Sequence, residues 1–341
     1  LVLSTLNNPF FVSLRDGAQA AAAAAGAELV VVDAQDDAAK MAAGIEDLIT
    51  QKVSAILINP TDSDAVVPSI EKANAAGIPV FTVDRGSSGG TVVSHVASDT
   101  VAGGALAAEF LCQAIGGNGT VVELQGIAGT SAARDRGQGF HDYMTASCKD
   151  AVIVAQQTAN FNRDEGLTVF ENILQAQPEI AAVFAHNDEM ILGAIQAAEA
   201  AGRTGIVFVG FDAVDDAVKA VEDGKLAATV AQQPSLMGQV AVETAIKSLG
   251  GTAVESYIPV ALSLVAKSGS SDTSPSGESF TLGLVLSTLN NPFFVSLRDG
   301  AQEAADKTGA TLIVVDAQDD AAKMAAGIED LITQKVSAIL I

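Results

Sequence analysis

Short apolar runs alternate with longer amphipathic stretches along most of the chain. The apolar runs predict strands at Leu1–Thr5, Leu29–Asp33, Ala55–Ile58, Val80–Asp84, Thr120–Leu124, Val152–Ala155, Ala182–Ala185, Ile206–Phe211 and Ala228–Ala231. They are continuously apolar rather than alternating, which is typical of parallel strands buried on both faces. The stretches between them predict helices at residues 8–25, 36–51, 62–75, 98–115, 163–176, 187–201 and 234–249. Strand–helix alternation of this length predicts right-handed crossovers and a doubly wound α/β fold.

There are more strands than one sheet comfortably holds, so we expect two α/β lobes joined by a hinge. In open parallel sheets, ligands bind at the carboxyl ends of the strands, which here would face an interlobe cleft. The segments that follow the strands are polar and aromatic: 4–11, 59–62, 84–86, 126–136, 187–189 and 211–212. Nearly all of them carry Asn, Asp, Arg or Phe.

This mixture of side chains suits an uncharged ligand that is rich in hydroxyl groups. Each sugar hydroxyl both donates and accepts, and burying it unpaired is unfavourable. Asp and Arg engage neighbouring hydroxyls, and Asn and Gln supply both donors and acceptors. Phe rings can cover the apolar face of a sugar ring. The expected aromatic walls are Phe10, Phe11, Phe161 and Phe211.

Charge and composition exclude several classes of function. The 341 residues include 18 Lys and Arg against 41 Asp and Glu, a net charge of −23. Such a surface repels phosphate backbones and anionic lipids, so we expect no nucleic-acid partner. No apolar run reaches the roughly 18 residues that a membrane helix needs. We also expect no signal or anchor within this chain, because its start shows no initiator Met, no basic n-region and no cleavage site.

Catalytic and metal-binding patterns are weak. His95, His141 and His186 have no metal-ligand spacing, and the chain lacks GxSxG and P-loop patterns, so we expect no cofactor, no metal and no catalysis. Residues 126–131 resemble an ordinary capped helix start. Cys112 is predicted to be a helix-core residue, and Cys148 a free thiol rather than half of a disulfide.

One segment occurs twice. Residues 1–58 recur as residues 284–341 with six differences, so 52 of 58 positions are identical. Natural duplications drift further, and we therefore expect an engineered duplication. Residues 268–279 are small and polar, as in a flexible linker, which could be synthetic or a natural tether. Residues 280–341 would then duplicate the first segment of the fold.

Long segments of the chain resemble the bacterial periplasmic ribose-binding proteins, the soluble receptors of ABC sugar importers. The resemblance rests on LSTLNNPFFVSL (3–14), INPTDSDAV (58–66), VDR (83–85), ELQGIAGTSAARDRG (123–137), FAHNDEM (184–190) and VGFD (209–212). It covers residues 1–267 and, in permuted order, residues 59–341.

The resemblance implies a receptor of periplasmic binding protein type I, with two lobes that close on the sugar. The N-terminal lobe would comprise 1–98 plus 233–258, and the C-terminal lobe 99–232 plus 259–267. The ligand contacts that it implies are Asn8, Phe10, Phe11, Asn59, Asp84, Arg85, Arg136, Phe161, Asn187, Phe211, Asp212 and Gln232. The second copy offers Asn291, Phe293 and Phe294 as substitutes for the first three. D-ribose or a close monosaccharide, an ABC permease partner and an extracytoplasmic location follow as expectations.

Only one copy can occupy the N-terminal lobe. We expect the second copy to do so, because its first strand is complete from Phe280 to Thr288 whereas the first copy begins at Leu1. The uncovered copy would then invite domain-swapped self-association. The alternative functions are the sugar-sensing core of a lac-repressor-type regulator, an enzyme on the same fold, and a ligand-controlled fold switch.

Overall fold

The computed structural model of the chain describes residues 1–267, 280–289, 294, 297–298, 300–302, 304–305, 310–318 and 320–340. The chain divides into two compact units, Leu1–Ser268 and Gly269–Ile341. The predicted linker 268–279 and the predicted site residues Asn291 and Phe293 lie outside the described residues.

The first unit contains two six-stranded sheets, A and B. Its strands are β1 (Val2–Leu3), β2 (Val32–Asp33), β3 (Ile56–Ile58), β4 (Val80–Val83), β5 (Ser94–Ala97), β6 (Asn118–Gln125), β7 (Asp150–Thr158), β8 (Ala182–Ala185), β9 (Val207–Asp212), β10 (Ala228–Ala231), β11 (Tyr257–Pro259) and β12 (Ser263–Ala266). Sheet A has the order β11-β5-β4-β3-β1-β2, and sheet B the order β12-β10-β9-β8-β6-β7. All neighbours are parallel except β10 and β12.

Helices connect the parallel strands, as parallel pairing requires. They are α1 (Pro9–Ala24), α2 (Ala38–Thr50), α3 (Val67–Ala75), α4 (Thr100–Ala114), α5 (Ser131–Ser147), α6 (Arg163–Ala176), α7 (Asp188–Ala200), α8 (Asp215–Glu222) and α9 (Pro234–Leu249). Successive residues of β8, Val183 and Phe184, belong to separate hydrophobic clusters, so sheet B is buried on both faces. The prediction of two doubly wound parallel-sheet lobes is confirmed. Sheet A with its helices is called lobe A, and sheet B with its helices is called lobe B.

Strands β5, β11 and β12 and helix α8 were not predicted. Strands β11 and β12 lie at sheet edges, are only three and four residues long, and are partly exposed. Strand β5 begins with the polar residues Ser94 and His95, and Thr82 Oγ1 lies 2.9 Å from His95 Nδ1. A hydrogen bond inside the sheet thus takes the place of apolar contact.

Glycines allow pairs of helices to pack backbone against backbone. A Cβ atom at Gly17 of α1 would lie 2.0 Å from the carbonyl oxygen of Ser235 in α9. In lobe B, a Cβ atom at Gly104 of α4 would lie 2.1 Å from the carbonyl oxygen of Arg136 in α5. Neither position can accept a side chain unless the helices separate. These contacts fix α1 and α5, which carry candidate site residues.

The two cysteines form a disulfide, so the prediction of a free thiol at Cys148 is wrong. Cys112 lies near the end of α4 and Cys148 is the residue that caps α5, and their Cα atoms are 6.0 Å apart. The close packing of α4 on α5 brings the two residues together across a sequence separation of 36. No sequence motif predicts this pairing, because it depends on how the two helices pack. The prediction that Cys112 lies in the helix core is confirmed, since its side chain belongs to a buried cluster of lobe B.

The first copy of the repeated segment completes lobe A, so the expectation that the second copy would do so is wrong. Strand β1 pairs with β2 and β3, and β3 pairs with β4. In the second unit, β13 (Thr281–Leu286) lies between β14 (Thr311–Asp316) and β15 (Ala338–Leu340), with helix α10 (Ala321–Thr333).

Chain connectivity favours the first copy. Strand β12 ends at Ala266, which pairs with Ala228 at the amino end of β10, so the chain leaves lobe B at the end remote from the strand carboxyl ends. The first copy needs no linker, because Ile58 is bonded directly to Asn59.

Removal of the disulfide should destabilise lobe B without unfolding it. We expect the Cys112→Ser/Cys148→Ser variant to lose about 2–4 kcal/mol of unfolding free energy, since the bond closes a long loop. Urea unfolding without reductant measures the loss. Dithiothreitol should lower the stability of the parent chain to that of the variant and leave the variant unchanged. Equal stability of the parent chain with and without reductant would contradict the assignment.

Candidate functional site

The twelve residues predicted to contact a ligand all lie in the first unit and are buried. They follow the carboxyl ends of strands or lie on helices that begin there: Asn8, Phe10 and Phe11 after β1, Asn59 after β3, Asp84 and Arg85 after β4, Arg136 in α5, Phe161 after β7, Asn187 after β8, Phe211 and Asp212 at the end of β9, and Gln232 after β10. The side chains thus gather at the carboxyl edges of both sheets, as the strand pattern predicts.

In lobe A, an amide positions the carboxylate of Asp84. Asn59 donates from Nδ2 to Asp84 Oδ2 over 2.9 Å, and its Oδ1 accepts from the Ser4 hydroxyl over 2.6 Å. Asp84 has a positive φ of 60°, which turns the chain sharply at the end of β4. The next residue, Arg85, places Nε 3.9 Å from the same carboxylate oxygen. This separation is an ion pair but is too long for a hydrogen bond.

In lobe B, Arg136 is held between a carboxylate, a carbonyl and an aromatic ring. Its Nη1 lies 3.4 Å from Asp212 Oδ1 and donates to the carbonyl oxygen of His186. Its Cζ lies 4.0 Å from the centre of the Phe211 ring, within cation–π distance. Gln232 donates from Nε2 to Asp212 Oδ1 over 2.8 Å.

Phe161 joins the two halves of the site. The Arg85 Cζ lies 5.1 Å from the centre of the Phe161 ring and 5.1 Å from that of Phe11. The Arg136 Cζ lies 5.8 Å from the Phe161 ring. The guanidinium groups of the two lobes therefore flank one ring in a closed arrangement. A Cβ atom at Gly126 would lie 2.0 Å from that ring, so only glycine leaves it room.

Two of the predicted asparagines also cap helices. Asn8 Oδ1 accepts from the Phe10 N–H over 2.9 Å at the start of α1. Asn187 Oδ1 accepts from the Met190 N–H over 3.0 Å at the start of α7, and its Nδ2 donates to the Phe161 carbonyl over 3.2 Å. Capping fixes each amide at its strand end. Phe10 packs edge-on against Phe11, with ring centres 5.2 Å apart.

Four buried polar atoms of this cluster have no hydrogen-bond partner among the described residues. They are Asp84 Oδ1, Arg85 Nε, Arg136 Nε and Gln232 Oε1. Buried polar atoms are normally paired, and each unpaired one destabilises the fold. Two of the four are donors and two are acceptors. The arrangement can therefore hydrogen-bond a ligand whose groups both donate and accept.

Burial shifts the proton affinities of the site. It raises the pKa of Asp212 to about 6, although Arg136 and the hydrogen bond from Gln232 act in the opposite direction. Burial also lowers the pKa of the Arg85 guanidinium, which the nearby Asp84 partly offsets. Asp212 is thus an acid that titrates close to neutral pH.

Sequence reasoning missed Asp188, a buried carboxylate that binds the main chain just after Asp212. Its carboxylate accepts from Thr229 Oγ1 over 2.7 Å and from the Val214 N–H over 2.9 Å. Burial, and then repulsion from Asp212, raises its pKa well above the usual value. A Cβ atom at Gly210 would lie 2.2 Å from Asp188 Oδ1. Asp188 follows Asn187 directly, so the strand-end pattern contained the signal.

Sequence reasoning also missed a buried acid behind Arg136. Glu123 on β6 accepts from His186 Nε2 over 2.8 Å and lies 2.7 Å from His141 Nε2. Burial alone would raise the pKa of Glu123, but the hydrogen bonds from His141 and His186 outweigh it and lower the pKa to about 2. The hydrogen bond with Glu123 fixes the ring of His186. The main-chain carbonyl oxygen of His186 in turn accepts a hydrogen bond from Arg136. Glu123 is the single charged residue of β6, and this was the available signal.

The remaining candidates lie elsewhere. Phe294, the duplicate of Phe11, is half-buried in the second unit. Among the residues with a described placement, no group of three His, Cys, Asp or Glu side chains could hold a metal ion. Over the same residues, no helix is both long enough and apolar enough to span a bilayer.

A family model of the periplasmic binding protein domain matches residues 1–253 and 282–341. The chain is 52% identical over 267 residues to the ribose import binding protein of Escherichia coli (strain K12), covering 78% of this chain and 90% of that protein. It is 48% identical over 264 residues to the ribose import binding protein of Bacillus subtilis (strain 168), covering 77% of this chain and 85% of that protein.

Solved structures show the same fold. An ABC transporter periplasmic solute binding protein from Actinobacillus succinogenes 130z with bound D-allose has a TM-score of 0.74 at 34% identity, over 79% of this chain and 97% of that one. The Caulobacter myo-inositol binding protein bound to myo-inositol has a TM-score of 0.75 at 31% identity, over 79% of this chain and 93% of that one.

The contacts of Glu123 with His141 and His186 should stabilise lobe B near neutral pH and lose this effect in acid. Because the pKa of Glu123 in the folded chain is about 2, below its ordinary 4.5, its contribution is present above pH 4.5 and is lost as the pH falls towards 2. We expect Glu123→Gln to be less stable than the parent chain at pH 6 and to approach it near pH 2. Urea unfolding across this range measures the difference, with Glu109→Gln on the exposed face of α4 as control. A difference independent of pH would contradict the assignment.

Proposed function

The chain belongs to the periplasmic binding protein family, and we propose that it binds D-ribose, or a closely related monosaccharide, in the cleft between lobes A and B. It is a non-catalytic solute-binding protein, as are the relatives that it matches. The twelve buried side chains at the strand ends are the proposed ligand contacts.

The charges of the cleft support an uncharged ligand. Asp84 and Asp212 balance Arg85 and Arg136, with each pair within one lobe. A phosphorylated or carboxylated ligand would unbalance this buried set and would have to be desolvated as well. A neutral polyol adds no charge, and desolvating its hydroxyl groups costs less than desolvating an ion.

The observation that carries the proposal is the set of unpaired buried atoms beside aromatic rings. Asp84 Oδ1 and Gln232 Oε1 can accept from hydroxyl groups, and Arg85 Nε and Arg136 Nε can donate to them. The rings of Phe11, Phe161 and Phe211 lie against the same guanidinium groups and can cover the C–H faces of a sugar. Ribose, rather than another sugar, is supported by the names of the two relatives at about half identity.

We further propose that the chain acts outside the cytoplasm and delivers its sugar to an ABC permease. The Cys112–Cys148 disulfide supports an oxidising compartment. We also propose that the chain passes between the two lobes near residues 98, 232 and 258. The two copies of the repeat are identical at 52 of 58 positions, and this high identity supports an engineered origin.

Titration with D-ribose tests the function, and the repeat offers a matched control. Phe11→Ala removes an aromatic wall and should weaken ribose binding by about 2 kcal/mol or more, roughly thirtyfold. Phe294→Ala makes the same change in the second copy and should leave the affinity unaltered. Isothermal titration at pH 7 measures both variants beside the parent chain.

Ribose 5-phosphate, D-allose and myo-inositol define the specificity in the same titration. Tighter binding of ribose than of all three supports the proposal. Absence of ribose binding to the parent chain would overturn it. Equal losses in Phe11→Ala and Phe294→Ala would show that the contacts are wrongly assigned.

Ribose affinity should fall in acid. A sugar hydroxyl donates best to the ionised carboxylate, so binding favours the unprotonated form of Asp212, whose pKa without ligand is about 6. The dissociation constant should therefore rise below pH 6 by up to about tenfold per pH unit. Titrations at pH 5, 6, 7 and 8 measure this slope. Asp212→Asn should bind weakly with little pH dependence, and a parent affinity constant from pH 5 to 8 would contradict the role of Asp212.

A further inference from the structure

The main chain turns sharply where β9 ends, at the residue that carries the Asp212 carboxylate. Asp212 has a φ of 115° and Ala213 a φ of 55°. Positive φ brings the Cβ atom of an L-residue close to a main-chain oxygen, so glycine is the residue that adopts it readily. Asp and Asn tolerate such a conformation better than alanine does. Two successive non-glycine residues with positive φ therefore form a strained turn.

Two side chains from other elements hold this turn, and strained backbone persists only where its surroundings hold it. The hydroxyl of Thr229 on β10 accepts from the Ala213 N–H over 3.2 Å. The same hydroxyl donates to Asp188 Oδ1 over 2.7 Å, and Asp188 Oδ2 accepts from the Val214 N–H over 2.9 Å. The two amides that follow Asp212 are thus fixed by one connected pair of side chains.

The packing of β9, β10 and α7 brings this pair to the turn. Thr229 pairs in register with Gly210 on β9, two residues before Asp212. Thr229 is fully buried, and so is Asp188, the first residue of α7. A Cβ atom at Gly210 would lie 2.2 Å from Asp188 Oδ1, so a side chain there would displace the carboxylate. Gly210 therefore leaves the space in which Asp188 reaches the turn.

The turn sets the direction of the Asp212 carboxylate. Asp212 Oδ1 lies 3.4 Å from Arg136 Nη1 and accepts from Gln232 Nε2 over 2.8 Å. A change in φ rotates the Cα–Cβ bond about the N–Cα axis. A turn that relaxed to negative φ would therefore move the carboxylate relative to both of its partners in the site.

We propose that Asp188 and Thr229 are positioning residues for the sugar, which hold the turn at Asp212 and Ala213 and so direct the Asp212 carboxylate at the ligand. Neither residue contacts the sugar itself. The proposal rests on the proposed function, because it assigns a role to two residues behind a proposed ligand contact. Such support pre-organises the site, since the ligand does not have to order the carboxylate when it binds.

Removal of one hydroxyl tests the role of the pair. Thr229→Val keeps the branched shape of the side chain and leaves the Ala213 amide without its acceptor. We expect it to weaken D-ribose binding to the full chain roughly tenfold in isothermal titration at pH 7. Thr229→Ser keeps the hydroxyl and should bind within about threefold of the parent chain.

Thr120→Val is the matched control in the same lobe. Thr120 Oγ1 donates to the carbonyl oxygen of Glu179 over 2.7 Å, in the amino-terminal half of β6 and away from the strand carboxyl ends. This variant also loses one hydroxyl hydrogen bond. We expect it to be less stable in urea and to keep the ribose affinity of the parent chain. An equal loss of affinity in both Thr→Val variants would overturn the proposal.

Glycine at position 213 provides a readout that a merely structural role would not move. Glycine adopts positive φ without support, so Thr229→Val/Ala213→Gly should recover most of the affinity that Thr229→Val loses. Thr229→Val should also add little to the loss in Asp212→Asn, because a residue that acts through the carboxylate has no further effect once the carboxylate is gone. Failure of the glycine variant to recover, or additive losses in the second pair, would overturn the proposal.

The outcomes separate this proposal from the proposed function. Absence of ribose binding to the parent chain would overturn the sugar assignment, whereas ribose binding that Thr229→Val leaves unchanged would overturn only the positioning role. A crystal structure of Thr229→Val without sugar examines the turn directly, and we expect the φ of Ala213 to leave the left-handed region. An unchanged turn there would overturn the proposal, whatever the titrations show.

Discussion

The first unit is organised around two buried guanidinium groups that must not be left without partners. Arg85 comes from lobe A and Arg136 from lobe B, and both are almost inaccessible to water. Removing a charge from water is costly unless opposite charge and hydrogen bonds replace the solvent. Asp84 and Asp212 supply the opposite charge. The rings of Phe11, Phe161 and Phe211 lie within cation–π distance of the guanidinium groups. The arginine Nε atoms have no hydrogen-bond acceptor among the described residues, and under the proposed function sugar hydroxyl groups would supply them.

Much of the surrounding structure keeps these groups in position. The carbonyl of His186 binds Arg136, and Glu123 holds the His186 ring from the sheet behind it. Gly104 lets α4 approach the main chain of Arg136, and Gly126 leaves room for Phe161. In lobe A, Asn59 ties Asp84 to the end of β1 through Ser4. The lobes are therefore scaffolds for a small set of polar atoms, which accounts for the strand ends being the most informative part of the sequence.

The sequence predicts the strand ends well because two regularities coincide there. Continuous apolar runs locate parallel strands, and parallel strands bring their carboxyl ends to one edge. Asn59, Asp84 and Asp212 could be found on that basis. Contacts between distant segments have no such regularity, which is why the Cys112–Cys148 bond and the support from Glu123 were missed.

The repeat also shows how far context decides the burial of one sequence. Leu57 is 5% exposed in lobe A, where β4 and α9 cover it, whereas its duplicate Leu340 is 47% exposed. Each chain has one set of residues 59–267 that can be completed, and two segments able to complete it. Exchange of segments between chains would leave the same number uncovered, so it gains no buried area by itself. Only sequence differences between the two copies can favour such exchange, and the copies are identical at 52 of 58 positions.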